Sequence, residues 1–298
     1  MGRRSTSAAV LACSLLPSMA NADCPAPGQW WQSHQVVPNS SILAQAATHQ
    51  VVLLGEQHDA VEHHRWQLHT LAGLHALRDD MVIGLEMLPR RAQSALDDWV
   101  AGRLTEDELL EQTRWNESWG FDATLYLPIL HFARVQQIPL VALNISPALR
   151  QRLVSEGFSN VPAEQRHDIP APQPPSDAYE ERLKEAFDQH DMGDNPEMFD
   201  RFTQAQLSWD IAMAKALADA SDDGTLIIGL MGLGHVLYDD GVAHQLNGLG
   251  VDRTFSLLPW EPTACETPDP DAADAVFILN PLAEENSVNN ELESFGTF

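Results

Sequence analysis

Two kinds of hydrophobic pattern alternate along the chain. Short apolar runs closed by turn residues occupy residues 51–54, 82–85, 140–143 and 226–231. The first ends at Gly55, the last at Gly232, and the third follows Pro139. Residues 254–258 and 276–279 repeat the pattern late in the chain. Runs of this length, apolar on successive residues, predict strands buried on both faces. Between them lie stretches of helical spacing. Residues 62–77 place Leu68, Leu71, Leu74 and Leu77 on one stripe, 91–100 carry Leu96 and Trp99, and 125–136 and 199–220 are amphipathic. Thr105 and Glu108 stand at the spacing of a capping box, in which each side chain satisfies a free amide of the other residue. Strands alternating with helices predict an α/β fold with a mainly parallel central sheet flanked by helices.

One region breaks the alternation. No strong strand pattern appears from 144 to 220, and Pro162, Pro170, Pro172, Pro174 and Pro175 mark an extended connection, since each fixes its own φ and restrains the residue before it. Two helices are expected after it, at about 177–189 and 196–220, so that residues 146–220 form a helical insertion packed over the sheet. Residues 261–274 are acidic and proline-bearing and read as a surface loop. Residues 284–298, poor in apolar side chains, are expected to form a flexible tail.

The N-terminus follows a different logic. Arg3 and Arg4, the apolar run 8–16 and the small residues Ala20 and Ala22 have the form of a secretory signal peptide, too short to span a bilayer. Cleavage after Ala22 leaves one domain over 23–283 and an exported, periplasmic protein. Lipoprotein attachment fits less well, because Asp23 before Cys24 does not suit a lipidation box. Removing the two arginines leaves 43 acidic against 15 basic side chains. Such a field argues against nucleic acid and anionic membranes as partners. Two cysteines survive cleavage, Cys24 and Cys265. An oxidising compartment permits a bridge between them, but spacing alone leaves bridge and free thiols equally open.

The chemistry concentrates where two predicted strands end alike. Gly55-Glu56-Gln57-His58 closes one and Gly232-Leu233-Gly234-His235 the other, while a third ends Gly84-Leu85-Glu86-Met87. A parallel sheet brings such ends to one edge, where open α/β folds bind ligands. His58, His235, Glu86 and Glu56 are therefore expected around one crevice. They suit a zinc, iron or other divalent metal ion, or general acid–base catalysis without one. A packing role, with the histidines bonded to loop backbone, is the plain alternative. Of the adjacent His63 and His64, at most one can face the crevice. Gln206, Trp209, Asp210 and Met213 share one helical face, from which Gln206 and Asp210 could orient a crevice histidine.

These residues also carry a resemblance. The run Val52-Leu53-Leu54-Gly55-Glu56-Gln57-His58-Asp59, followed by His63-His64-Arg65-Trp66-Gln67, resembles the opening motif of the ChaN-like haem-binding uptake proteins. So do Gly84-Leu85-Glu86-Met87, Trp115 with Trp119-Gly120-Phe121-Asp122, Ala142-Leu143-Asn144, Gln206 with Trp209-Asp210 and Met213-Ala214, and Gly234-His235-Val236. They run in the family's order from about 51 to 241. That family is grouped with the TIKI, TraB and erythromycin-esterase-like proteins. The resemblance implies an α/β fold with a helical insertion and haem as ligand for iron acquisition in the bacterial envelope. It also implies a tyrosine on the haem iron, a homodimer with paired haems, and an outer-membrane haem or siderophore receptor as partner. Its relatives suggest the alternative of a metal-dependent hydrolase, protease or esterase-like, on His58, His235, Glu86 and Glu56. Among Tyr126, Tyr179 and Tyr238, Tyr179 is preferred as the iron ligand because it opens the insertion. Trp115, Trp119, Met192 and Met198 are candidates for a porphyrin face, though packing suits them as well. Leu233 departs from the family pattern, where asparagine is common.

Overall fold

The computed structural model describes residues 24–189, 195–221 and 224–280. The leader expected over 1–22 and the tail expected over 284–298 lie outside the described residues, as does Met192.

The chain opens with β1 (Trp30–Gln32), β2 (Gln35–Val37) and α1 (Asn39–Ala46). The central strand β3 (Val51–Glu56) follows, then α2 (Val61–His75) and β4 (Met81–Pro89). Four helices, α3 (Gln93–Val100), α4 (Glu106–Thr113), α5 (Trp115–Ser118) and α6 (Leu127–Gln136), lead to β5 (Leu140–Asn144). Then come α7 (Pro147–Glu156), α8 (Asp177–Gln189), the 25-residue α9 (Pro196–Ala220), β6 (Leu226–Gly232), α10 (Val242–Gly248), β7 (Thr254–Trp260) and β8 (Ala275–Ile278).

The strands form one sheet in the order β2-β1-β8-β7-β3-β6-β4-β5. From β8 to β5 all neighbours are parallel, but β1 runs antiparallel to both β2 and β8. The sheet is therefore mixed, which corrects the expectation of a mainly parallel one. The added hairpin turns at Ser33 and His34, both at positive φ (48° and 64°). A two-residue turn with both central residues left-handed matches strand twist, but it is usually made by glycine or asparagine. Without them the hairpin leaves little trace in the sequence.

β3 and β6 are buried along their whole length, as expected of strands covered on both faces. Side-chain alternation divides the core. Val52, Leu54, Ile83, Leu85, Ile228 and Leu230 face one layer with α2, α3 and α6. Val51, Leu53, Ile227 and Met231 face the other, with α9 and α10. Gly84 of β4 permits close approach on that second face: a β-carbon there would lie 2.7 Å from Leu143 and 3.0 Å from Leu217 of α9. Asn195 caps α9, its side chain accepting from the Glu197 amide, and Pro196 opens the first turn. The Thr105–Glu108 capping box forms at the head of α4.

Candidate functional site

Strand register brings the chemistry together. Glu56, the last residue of β3, pairs with Gly232, the last of β6. On β4, Leu85 pairs with Ala142 of β5, and after a register shift Pro89 pairs with Asn144. The irregularity contains Glu86, and bulges of this kind re-aim side chains at sheet edges. His58 and His235, each just past a strand end, line one cavity of about 330 Å³ with Glu86. Met87, Trp119, Phe121, Asn144, Arg150, Gln206 and Trp209 help to wall it. The volume sits near the lower end of small-molecule sites, about 300–1,000 Å³.

Each histidine is held by a carboxylate. His58 Nδ1 lies 2.6 Å from Glu56 Oε1, and its ring meets Trp119 and Phe121 at centroid distances of 4.5 and 4.9 Å. His58 Nε2 has no hydrogen-bond partner among the described residues. It lies beside Gly232, where an added β-carbon would come 3.2 Å from Nε2 and 2.7 Å from Cε1. Only glycine leaves the imidazole its place there. His235 Nδ1 lies 2.5 Å from Asp210 Oδ1 and 3.1 Å from Gln206 Nε2, and the Tyr179 hydroxyl donates to Asp210 Oδ2 at 2.8 Å. On its other side His235 Nε2 meets Glu86 Oε1 at 3.3 Å. Glu86 Oε2 accepts from the Gly232 amide at 2.7 Å, and Asn144 Nδ2 donates to the Glu86 carbonyl.

Electrostatics follows from this pairing. Burial opposes a charge on His235, but Glu86 and Asp210 outweigh it and raise its pKa to about 10. Burial likewise opposes His58, whose pKa is nevertheless raised by Glu56 and Glu86. Burial would raise Glu86, but His235 and His58 hold it below the usual carboxylate range. Burial does raise Asp210 despite His235. At neutral pH the site holds His235 as imidazolium among buried carboxylates.

The other expected residues take different places. His63 and His64 brace the turn rather than line the cavity. His63 Nδ1 accepts from the Gln57 amide, while His64 Nε2 and the Tyr126 hydroxyl bond the His58 carbonyl at 3.0 and 3.2 Å. Burial, then His64, lowers His63 to about 4. Trp209 and Asp210 of α9 do join the site, Trp209 on the wall and Asp210 behind His235. Tyr179 is buried behind Asp210, off the cavity wall, and burial lifts its pKa well above 10. Tyr126 packs in the core and the Tyr238 hydroxyl donates to Asp269. Trp115 is core, Trp119 is wall, and Met198 is exposed.

The metal expected on His58, His235, Glu86 and Glu56 finds no support. Among the described residues no three of His, Cys, Asp or Glu are grouped to hold an ion. The carboxylates are engaged by the two imidazoles and the Gly232 amide: Glu56 and Asp210 at Nδ1 atoms, Glu86 at His235 Nε2 and the amide. Arg150 escaped the sequence reading entirely. It sits on α7, whose Ser146-Pro147 start is a legible signal: Ser146 Oγ accepts from the Leu149 amide, with proline at the first position.

The family described as "Haem-binding uptake, Tiki superfamily, ChaN" matches residues 42–246. No curated protein matches the chain by sequence. Among solved structures, ChaN of Campylobacter jejuni, described for cofacial haem binding, superposes with a TM-score of 0.68 at 16% identity, covering 83% of this chain and 95% of that one. Erythromycin esterase EreC, in an H289N variant, gives a TM-score of 0.45 at 13% identity over 74% of this chain and 71% of its own. The type III effector HopBA1 gives 0.45 at 13% identity over 80% and 91%. With 42–246 matched and the motif residues gathered at one sheet edge, the chain belongs to the ChaN family of haem-binding uptake proteins in the Tiki superfamily.

Proposed function

We propose that this protein is exported to the periplasm and binds haem in its sheet-edge cavity for iron acquisition. The observation that carries the reading is His58: a carboxylate-oriented imidazole whose Nε2 has no hydrogen-bond partner among the described residues, on a cavity walled by Trp119, Phe121 and Trp209. The donor set and aromatic walls suit one edge of a flat iron porphyrin, whose body would extend beyond the cavity of about 330 Å³. His58 Nε2 would hold the iron, with Glu56 fixing the ring through Nδ1, the usual arrangement behind a metal-bound histidine. When bound, haem would supply a ferric Lewis acid for that imidazole to hold. Tyr179 is not favoured as ligand here, because its hydroxyl is committed to Asp210.

Export is supported by the bridge between Cys24 and Cys265, since disulfides persist in oxidising compartments. No helix among the described residues is long and apolar enough to cross a membrane. The homodimer and the receptor partner belong to the same proposal, and sedimentation of hemin-loaded protein tests the first. Hemin titration of the purified protein tests the ligand. A saturable Soret band is expected, retained in Tyr179→Phe. The absence of any spectral change with wild type would refute it.

A second reading is hydrolysis without a metal, favoured by the two histidine–carboxylate dyads on one cavity. It expects chelator-resistant cleavage of small esters, abolished by His235→Ala. No turnover across an ester panel would dismiss it.

A further inference from the structure

We propose that Arg150 is the anion-recognition residue of the cavity and that the ligand it serves carries a carboxylate next to a flat apolar body. The inference rests on the haem reading for the identity of the ligand, haem bearing two propionate groups, but the anion site stands on its own geometry. In a chain with 43 acidic and 17 basic residues, an arginine is expected to find a carboxylate. Arg114 pairs with Glu117 and Arg152 with Glu156. Arg150 has no such partner among the described residues. Its guanidinium carbon instead lies 3.7 Å from the centroid of the Trp209 ring. Among the described residues it is the only arginine or lysine on the cavity wall. It is half-buried on the first turns of α7, and burial brings its pKa down to about 10, which leaves it charged at neutral pH.

This is an expensive placement without a ligand. A partly desolvated cation stacked on an aromatic face keeps its planar donors free at the edges, the geometry by which arginine grips carboxylates with two parallel hydrogen bonds. Trp209 also meets the His235 ring at 5.9 Å. Arg150 therefore stands on the same cavity wall as the imidazoles, stacked on the Trp209 ring that meets His235, placed to receive a charged substituent while the ligand body lies against Trp209, Trp119 and Phe121.

The test compares hemin with its dimethyl ester in wild type, Arg150→Gln and Arg150→Lys, reading affinity from the Soret band. Arg150→Gln is expected to weaken hemin roughly ten- to a hundredfold, the worth of a lost charged hydrogen bond, and to leave the ester unchanged. The ratio of the two affinities is the readout, because loss of packing on Trp209 would move both ligands alike. An unchanged ratio overturns the proposal. Arg150→Lys serves if the glutamine variant does not fold: its ratio should fall between parity and the wild-type value, and a wild-type ratio again overturns it. If wild type takes up neither porphyrin, the haem reading fails separately. Pyrenebutyrate against pyrenebutanol then decides the anion site, with preference for the acid expected in wild type and abolished in Arg150→Gln. Equal binding of acid and alcohol by wild type refutes it.

Discussion

The behaviour of single residues is governed by His235. Its folded pKa of about 10 exceeds the ordinary value near 6.5, so it favours folding most when protonated. That stability is complete below about pH 6.5 and is lost as pH rises through 10. Glu86 acts in the opposite direction: depressed in the fold, it stabilises above the ordinary carboxylate pKa and loses that contribution as pH falls below it. Thermal denaturation should therefore show Tm declining between about pH 7 and 10. His235→Gln should flatten that decline and leave Asp210 and Glu86 buried without their cation. Breaking such a pair costs about 3–5 kcal/mol, on the order of 10 °C in Tm; a Tm within a degree of wild type would contradict it. Glu56 has a ligand-side consequence. Glu56→Gln should weaken hemin roughly 10–100-fold, the usual effect of losing the group behind a metal-bound histidine, measured by the same Soret titration. Gly232→Ala should also weaken hemin, since its methyl would occupy the space of the His58 ring.

Elements differed in how plainly they could be read. β3, β4, β5 and β6 were legible because their central runs are buried on both faces and are therefore apolar, with polar residues only toward their ends. α8 and α9 were legible at 177–189 and 196–220 because their buried residues recur at helical spacing. β1 and β2 were not, as each has three residues and their turn relies on Ser33 and His34 at positive φ. α7 was hidden by mixed polarity, burying only Leu149 and Leu153, and Arg150 was hidden with it. At the site, the glycine–histidine turns and Glu86 could be read because a glycine after a buried strand has a steric cause. The partner of each imidazole could not. That Asp210 serves His235 while Tyr179 serves Asp210 depends on where α9 and α8 pack, which spacing along one helix does not report.

At the scale of the whole molecule, one covalent bridge ties distant parts of the described chain together. The Cys24–Cys265 bridge spans 241 positions and fastens the N-terminal segment, with its β1–β2 hairpin, to the loop between β7 and β8. Reduction is expected to lower stability by about 2–4 kcal/mol, read as a drop in Tm on the order of 10 °C with dithiothreitol. The cavity, at the ends of β3, β4 and β6, is lined by neither cysteine nor any residue of the β7–β8 loop, a separation by which hemin uptake should survive mild reduction at low temperature. Loss of uptake on reduction without unfolding would count against that separation.

Chemical rescue of His58→Gly addresses the central claim most directly, because it asks whether this imidazole holds haem iron. With hemin, the variant should lack the wild-type Soret spectrum while keeping its far-UV circular dichroism, and added free imidazole should restore the spectrum. A folded variant that shows the wild-type spectrum without imidazole would contradict the account.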